Sequence, residues 1–382
     1  MLTLSLSTAL SPLAKAEEAK YTWKTLTSVP ITNDLGNIYT SPDGSKLFIF
    51  EIYGSPGSTN LWMSADDGAT WRKIWSEQTT IEYASFSTDG SKIVLEDSGS
   101  SHFYRSTDGG QSWVANYSMA AAIFSPDGSF LVGCSVSGGA YTTYISTDDG
   151  RHYWTQKGTN SIGCPEHVYN NGTLIARSGG DMAKSTDYGQ TWTETPNVLN
   201  ASGIASFSNN GNNIFEGDRI SLDGGNHWTP SNAPIPAGYT FYQTGISDDG
   251  KKLVATVKSI ANIREARLLT SVDGGRTWDS EDLSGNDVAM SNDGSKLLNM
   301  YTGNNGRFVY RVGTLPAAQP VTPGSGAGGT VTPSTGSTSA TPGQKPGKAS
   351  GRLAETGTST WTVGGLAVVA VAAGALVLRK RL

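Results

Sequence analysis

Residues Ser64–Trp71 read SADDGATW, an octapeptide of the form S-x-D-x-G-x-T-W. The pattern returns five more times, and the starts of successive copies are 42, 40, 39, 36 and 50 residues apart. The further copies are Ser106–Trp113 (STDGGQSW), Ser146–Trp154 (STDDGRHYW), Ser185–Trp192 (STDYGQTW), Ser221–Trp228 (SLDGGNHW) and Ser271–Trp278 (SVDGGRTW). The third copy has one extra residue, so either Tyr153 or Trp154 takes the place of the last aromatic residue. A repeat of this length indicates an array of equivalent structural units.

A second motif alternates with the octapeptide and consists of an apolar run, the tetrapeptide S-x-[DN]-G or a close variant, and another apolar run. Its seven glycines are Gly44, Gly90, Gly128, Gly172, Gly211, Gly250 and Gly294. Asp-Gly and Asn-Gly between apolar runs are strong hairpin signals, because glycine accepts the positive φ that such turns require. Each unit therefore reads as four antiparallel strands in about 42 residues, which is typical of a β-propeller blade.

The number of units predicts an all-β fold, a seven-bladed β-propeller over residues 21–315. The seventh unit ends with the strand Arg307–Val312 and has no octapeptide or fourth strand. The segment Tyr21–Leu26 resembles Thr70–Ile74 at the end of the first octapeptide, so an N-terminal strand is expected to complete the last blade. Such closure removes the exposed sheet edges of an open array.

The octapeptide resembles the Asp box shared by sialidases, sortilin-type receptors, some glucanases and photosystem assembly factors. The resemblance covers about 295 of the 382 residues and implies the propeller fold far more strongly than any one function. In such a turn the aspartate accepts backbone N–H groups, the glycine adopts an unusual φ and the tryptophan packs between sheets. The aspartates expected to be structural are Asp66, Asp108, Asp148, Asp187, Asp223 and Asp273.

A sialidase would need three arginines to hold the substrate carboxylate, because a guanidinium offers a bidentate fork that lysine cannot copy. The first of them belongs to an R-I-P motif ahead of the first Asp box, yet residues 1–71 contain no arginine. The related string Pro234–Pro236 (PIP) lies late in the chain and lacks an arginine. We therefore assign no catalytic residue. A sialidase-like or other glycoside hydrolase is the alternative.

The charge and the cysteine and histidine content limit the classes of ligand and partner that this chain can bind. Residues 17–315 hold 21 basic and 32 acidic side chains, a net charge of −11, which argues against nucleic acid. The chain has two cysteines, four histidines, no CxxC and no HExxH, so no metal site or cofactor is predicted. Cys134 and Cys164 either form a disulfide bond or are two unrelated buried thiols.

Ligands of propellers usually bind at the end opposite the two kinds of turn, and there the sixth unit has the longest predicted loops. Pro230–Tyr242 contains Tyr239, and Lys258–Arg267 contains Arg264, Glu265 and Arg267. Aromatic residues beside arginine and glutamate suit a glycan-binding or peptide-binding surface. The alternative is that Phe241 and Tyr242 begin a core strand and that the charged side chains only solvate a loop.

The N-terminal residues 1–16 end in Ala14-Lys15-Ala16, which has the small-x-small form of a signal-peptidase site, although the basic n-region is missing. The segment reads as a signal peptide, with its start truncated, or as a frayed terminus. Near the other end, residues 316–352 are rich in Pro, Thr, Gly and Ser and cannot bury a core, so they predict a disordered linker that crosses the cell wall.

Residues 353–382 combine Leu353–Gly357 (LAETG), an uncharged stretch 361–378 and the basic tail Arg379–Arg381. Eighteen residues of helix cover ~27 Å, close to the thickness of a hydrocarbon core. This order resembles the cell-wall sorting signal of Gram-positive surface proteins, with Ala354 where the family has proline. The resemblance implies that a sortase cleaves between Thr356 and Gly357 and joins the protein to peptidoglycan. A plain membrane anchor is the alternative, and in both cases the propeller is extracellular.

These observations favour a monomeric, non-catalytic propeller displayed on the wall, which recognises an extracellular glycan or protein. A scaffold for assembling other envelope proteins is a third hypothesis.

Overall fold

The computed structural model describes residues 20–31, 36–53, 57–97, 102–116, 119, 121–178, 180–196, 198–199 and 204–316, without the side chains of Glu82 and Asn286. Within these ranges the regular structure consists of 27 β-strands, and the fold is an all-β propeller, as predicted. The described residues contain no helix long and apolar enough to cross a membrane. The predicted signal peptide, sorting segment and 361–378 span, and the linker apart from Pro316, lie outside the described residues.

Five sheets have four antiparallel strands each, consecutive in the chain. The first two sheets are β2 (Ile38–Thr40), β3 (Leu47–Tyr53), β4 (Ser58–Ser64), β5 (Arg72–Glu77), and β6 (Ile81–Phe86), β7 (Ile93–Asp97), β8 (Phe103–Ser106), β9 (Val114–Asn116). The next three are β10 (Ala121–Phe124), β11 (Leu131–Ser137), β12 (Ala140–Ser146), β13 (Thr155–Asn160); β14 (Pro165–Val168), β15 (Leu174–Ser178), β16 (Asp181–Ser185), β17 (Thr193–Thr195); and β18 (Ser206–Phe207), β19 (Ile214–Phe215), β20 (Arg219–Ser221), β21 (Thr229–Pro230).

The remaining strands form one seven-stranded sheet, in the order β1-β27-β26-β25-β24-β23-β22. Its strands are β22 (Tyr239–Ile246), β23 (Leu253–Ser259), β24 (Glu265–Ser271), β25 (Asp279–Met290), β26 (Lys296–Thr302), β27 (Phe308–Thr314) and β1 (Thr22–Leu26). Seven separate four-stranded sheets were expected, so the structure corrects this count to five separate four-stranded blades and one larger sheet. The cause is β25, which pairs with β24 along its first half and with β26 along its second half.

The expected closing strand is confirmed. β1 pairs antiparallel with β27 in a register that sets Trp23 opposite Gly313 and Leu26 opposite Tyr310. Leu26 is buried, and Trp23 is half-buried against the last sheet. The N-terminal segment therefore joins the sheet that ends the described part of the chain.

The core lies between neighbouring sheets, where alternate side chains of each strand face the next sheet. Phe48 of β3 stacks on Phe86 of β6 with ring centroids 4.1 Å apart, and both rings are buried. Face-to-face packing of this kind holds sheets together by apolar burial, with stacked rings adding about 0.5–1.5 kcal/mol per pair.

The seven Asp-Gly and Asn-Gly turns are connected to one another in a closed ring of hydrogen bonds. The links are Asp43 N–H to Thr88 O, Thr88 N–H to Pro126 O, Asp127 N–H to the Asn170 side chain, Tyr169 hydroxyl to Ser208 O, Asn209 N–H to the Asp248 carboxylate, Asp248 N–H to Asn292 O and Asn292 N–H to Pro42 O. Each turn is therefore fixed by the next turn as well as by its own sheet.

Candidate functional site

The two kinds of turn share one end of the blades. Gly109 in the second octapeptide donates to Ser91 O beside the Asp-Gly turn of the same sheet, and Gly274 donates in the same way to Lys251 O. We call this the turn end. We call the opposite end the loop end. There the first and third strands of each unit begin and the second strand ends.

The octapeptide aspartates act as hydrogen-bond acceptors inside their turns. Asp66 accepts the Thr70 N–H at 2.8 Å, the Thr70 hydroxyl at 2.6 Å and the Ser64 hydroxyl at 2.8 Å. Asp187 repeats this pattern with Thr191 and Ser185. Hydrogen bonds to the ionised carboxylate stabilise it, so the Thr70 hydroxyl and backbone lower the pKa of Asp66 to about 2.

The other copies behave alike. Hydrogen bonds lower the pKa to about 2 at Asp108, Asp148 and Asp223, and the pKa of Asp273 is also lowered, although partial burial opposes that shift. A carboxylate that stays ionised and accepts hydrogen bonds with both oxygens inside its turn holds the backbone of that turn. Such a group is poorly suited to proton transfer. In the third copy Trp154 takes the aromatic place and packs near Phe103, while Tyr153 is 77% exposed.

The four predicted binding residues come together at the loop end of the seven-stranded sheet. Tyr239, Arg264, Glu265 and Arg267 all line one open cavity of about 400 Å³. The predicted loops are shorter than expected, because Tyr239 already begins β22 and Glu265 begins β24. Phe241 packs into the core, as the alternative interpretation held.

Two of the four residues already have polar partners. Arg267 Nε lies 2.6 Å from an Asp282 carboxylate oxygen on the paired strand β25, and its guanidinium lies 5.9 Å from the Tyr239 ring centroid. Glu265 accepts the Asn262 side-chain amide at 3.0 Å. The cavity floor is therefore electrostatically paired, and Arg264 stands at its exposed edge.

Sequence reasoning missed two exposed isoleucines beside this cavity. Ile260 is 72% exposed and Ile263 is 71% exposed, on the connection between β23 and β24. The connection is held in place, because Ile260 N–H donates to Gly238 O and the Gly285 N–H donates to Arg264 O. We call Tyr239, Ile260, Ile263, Arg264 and Arg267 the β22–β24 surface. An available signal was the string SIANIRE, in which branched apolar residues interrupt a polar turn.

A second group next to this surface was also missed. Lys258 Nζ lies 3.7 Å from an Asp287 carboxylate oxygen and 3.2 Å from the Tyr242 ring centroid. Burial lowers the pKa of Lys258 and raises that of Asp287, each shift opposed by the other's charge. Burial, with the Asp287 charge, raises the pKa of Tyr242 to about 12. Tyr242 is the extra residue of a β-bulge between β22 and β23, and bulges commonly re-aim side chains at functional sites.

Cys134 of β11 and Cys164, just before β14, form a disulfide bond with Cα atoms 5.6 Å apart. The bond joins two neighbouring sheets. Within the described ranges, no group of three or more histidine, cysteine, aspartate or glutamate side chains is placed to hold a metal ion.

No family model matches the chain. It is 25% identical over 302 residues to a xyloglucanase of Hypocrea jecorina (strain QM6a), a match that covers 77% of this chain and 30% of the relative's length. Among solved structures it is similar to YCF48 from Cyanidioschyzon merolae, at a TM-score of 0.50 and 17% identity over 76% of this chain and 98% of that one. It is also similar to an oligogalacturonate lyase from Vibrio parahaemolyticus, at a TM-score of 0.51 and 10% identity over 78% and 97% of the two chains. At these identities the structural likeness establishes the β-propeller fold alone.

Proposed function

We propose that the chain is a non-catalytic propeller that binds a protein partner through the β22–β24 surface. The observation that carries this proposal is the pair of exposed isoleucines flanked by Tyr239, Arg264 and Arg267. Exposed apolar groups beside tyrosine and arginine are typical of protein-binding sites, where a few such residues supply most of the affinity. A glycan would gain little from branched aliphatic side chains, which offer no hydrogen bonds.

The chemistry of the surface defines the partner. Ile260 and Ile263 suit an apolar side chain, and Arg264 suits a neighbouring carboxylate. We therefore expect a partner segment with an apolar anchor next to an aspartate or glutamate.

The test compares variants of the full chain as baits in affinity capture, followed by binding measurements with each captured protein in purified form. Ile263→Asp and Arg264→Ala are each expected to weaken binding at least about tenfold, the size of a hot-spot loss. Val136→Asp is the matched control, because Val136 is 51% exposed and is the last residue but one of the second strand of another sheet. Equal binding by wild type and all variants would refute the proposal.

A glycoside hydrolase is the second candidate, supported by the likeness to a xyloglucanase and by the Tyr242–Lys258–Asp287 group. A partly buried carboxyl with a raised pKa is a common feature of acid–base sites. The assay is release of sugar from xyloglucan and from a fluorogenic sialoside. Turnover that Asp287→Asn abolishes, and that Arg264→Ala or Arg267→Ala reduces, would favour the hydrolase over the binding module.

We also infer that the seven-stranded sheet counts as two blades, giving a seven-bladed Asp-box ring. The closed ring of seven turns supports this count. So does the register shift in β25 between Ser284 and Asp287, where Gly285 adopts a φ of 53° and the strand passes from one unit to the next.

For location, we propose display outside the cell through sortase cleavage between Thr356 and Gly357 and attachment to peptidoglycan. The disulfide supports an extracellular site, because such bonds persist in oxidising environments. Thr356→Ala is expected to move the protein from the wall fraction to the membrane fraction, and unchanged attachment to the wall would contradict the proposal.

A further inference from the structure

One arginine at the turn end breaks the pattern of its repeat. Arg105 is the last residue before the second octapeptide. At this place three of the other five units have the buried apolar residues Met63, Ile145 and Ile220, and the remaining two have Lys184 and Thr270. Arg105 is itself only 4% exposed, and its Nε has no hydrogen-bond partner within the described part of the chain. Burying a charged donor without a hydrogen-bond partner costs free energy of folding. A ligand that accepts a hydrogen bond from Arg105 would offset this cost.

The octapeptide facing Arg105 is the one with the extra residue. Its tip brings Arg151 and His152 to the edge of a cavity of about 330 Å³, of which Arg105 forms another wall. The Thr107 and Ser112 side chains line the same cavity. Three basic side chains and two hydroxyl groups thus surround one space, in a protein whose net charge is negative.

The nearby carboxylates already have partners, one of which lines the cavity: His152 Nδ1 lies 3.5 Å from an Asp148 carboxylate oxygen. Asp149 forms an ion pair with Lys92 at 2.6 Å. Asp148 accepts the Ser146 hydroxyl at 2.6 Å and the His152 N–H at 2.9 Å within its own turn. Burial lowers the pKa of Arg105, and the nearby Arg151 charge lowers it further against the opposing effect of the two aspartates.

We propose that this cavity binds a tetrahedral oxyanion, a phosphate or sulfate group, with Arg105 as the buried donor and Arg151 as the exposed one. A guanidinium presents paired N–H groups that match the oxygens of such an anion. The Ser112 hydroxyl donates its one proton to the Asp108 carboxylate at 2.5 Å, so it fixes the wall of the cavity and is not a donor to the anion. This site lies at the turn end and is independent of the β22–β24 surface.

The test is titration of the full chain with inorganic phosphate and, separately, with inorganic sulfate, at ionic strength held constant with chloride. Saturable binding seen by calorimetry, with a rise in the thermal unfolding midpoint, is expected for at least one anion. The anion with the lower Kd is the oxyanion that the site favours.

Arg105→Met and Arg151→Ser are each expected to raise the Kd at least about tenfold. Methionine stands at the corresponding place in the first unit, so Arg105→Met should fold, and its unfolding midpoint without anion should stay the same or rise. Arg276→Ser is the matched control, because Arg276 has the same place in the octapeptide Ser271–Trp278 as Arg151 has in its own, while the unit before it has Ile220 at the place of Arg105. Absence of saturable binding, or equal loss in the Arg276→Ser control, would overturn the assignment.

Discussion

Replacing Trp23 by alanine is predicted to lower the free energy of unfolding by about 2–3 kcal/mol, because this ring fastens β1 to the sheet it closes. The ring lies 4.0 Å from the Arg311 guanidinium and covers the backbone of Gly313, its partner in register. Arg311 in turn makes two hydrogen bonds to Glu281 of β25, at 2.9 and 2.7 Å, and one to Asn299 of β26 at 2.8 Å. One guanidinium thus connects β1 to two further strands.

The magnitude follows from burial. Truncating a fully buried tryptophan to alanine costs about 3–5 kcal/mol, and Trp23 is only half-buried, so about 2 kcal/mol is expected from lost packing. The lost cation–π contact adds about 0.5–1 kcal/mol. With an unfolding entropy of about 0.6 kcal/mol per kelvin for a domain of this size, the thermal midpoint should fall by about 3–5 °C.

Urea unfolding and calorimetry of Trp23→Ala provide the measurement, with Lys24→Ala as the control on the same strand. Lys24 is exposed, so its truncation should change stability by less than about 0.5 kcal/mol. Deleting Tyr21–Leu26 should cost more than Trp23→Ala, since it also removes the β1–β27 hydrogen bonds. If Trp23→Ala unfolds like Lys24→Ala, β1 does not close the ring and the reasoning fails.

Three further predictions concern pH and the disulfide. Burial, followed by the Arg177 charge, lowers the pKa of His167 to about 3. Between pH ~6.5 and ~3 this histidine is therefore protonated in the unfolded chain and neutral in the native state. The free energy of unfolding should therefore fall as pH drops below about 6.5, by at most about 1.4 kcal/mol per pH unit. In a series of urea unfolding experiments at different pH, His167→Gln should reduce this dependence on pH. An unchanged dependence would exclude His167 as its cause. Hydrogen bonds from the Thr191 hydroxyl and backbone lower the pKa of Asp187 to about 2, so the stability that its carboxylate contributes is present above about pH 4 and is lost toward pH 2. Asp187→Asn should weaken this acid dependence of the thermal midpoint. A pH curve parallel to that of wild type would contradict the role of the turn. Replacing both Cys134 and Cys164 by serine opens a closed loop with a sequence separation of 30, expected to cost about 3–4 kcal/mol, and a reductant should then have no further effect on the double variant.

The sequence predicted most of the fold because the repeat has a local physical cause. Each Asp-Gly or Asn-Gly turn needs its glycine at positive φ, and Gly44, Gly128 and Gly294 have φ values near 69°. Each octapeptide serine and aspartate satisfies its own turn without distant partners. Interactions within ten residues of sequence are visible in a single chain, and these were predicted at the right places.

The joined sheet could not be predicted, because the junction between two units looked like a loop. A Ser-Gly pair is typical of a turn, but the backbone of β25 bends at Gly285 and continues into the next strand. Whether such a segment forms a loop or a bulged strand depends on the distance between the sheets it joins, which the local sequence does not encode.

The candidate site was predicted in part for the same reason. Arg264, Glu265 and Arg267 are adjacent in sequence, and their grouping with Tyr239 followed from assigning both segments to one end of one unit. The contact of Lys258 with Asp287 depends on the joined sheet, and these residues are 29 positions apart. Their contact became apparent only from the order of the strands, in which β24 lies between β23 and β25 and β22 carries the bulge.

In a repeat protein the departures from the repeat are the positions that the fold does not explain. The six octapeptide aspartates recur because every turn needs a carboxylate, and a substitution there should affect stability before it affects binding. Arg105 is a buried charge at a place that is apolar in three of the other five units, and the facing octapeptide has one residue more than the others. The isoleucines at 260 and 263 remain exposed in a connection that is short and polar elsewhere. None of these features improves the packing of its own unit, and Arg105 carries a desolvation cost. These departures lie at opposite ends of the blades, which supports the two sites proposed above, an oxyanion site at the turn end and a protein-binding site at the loop end.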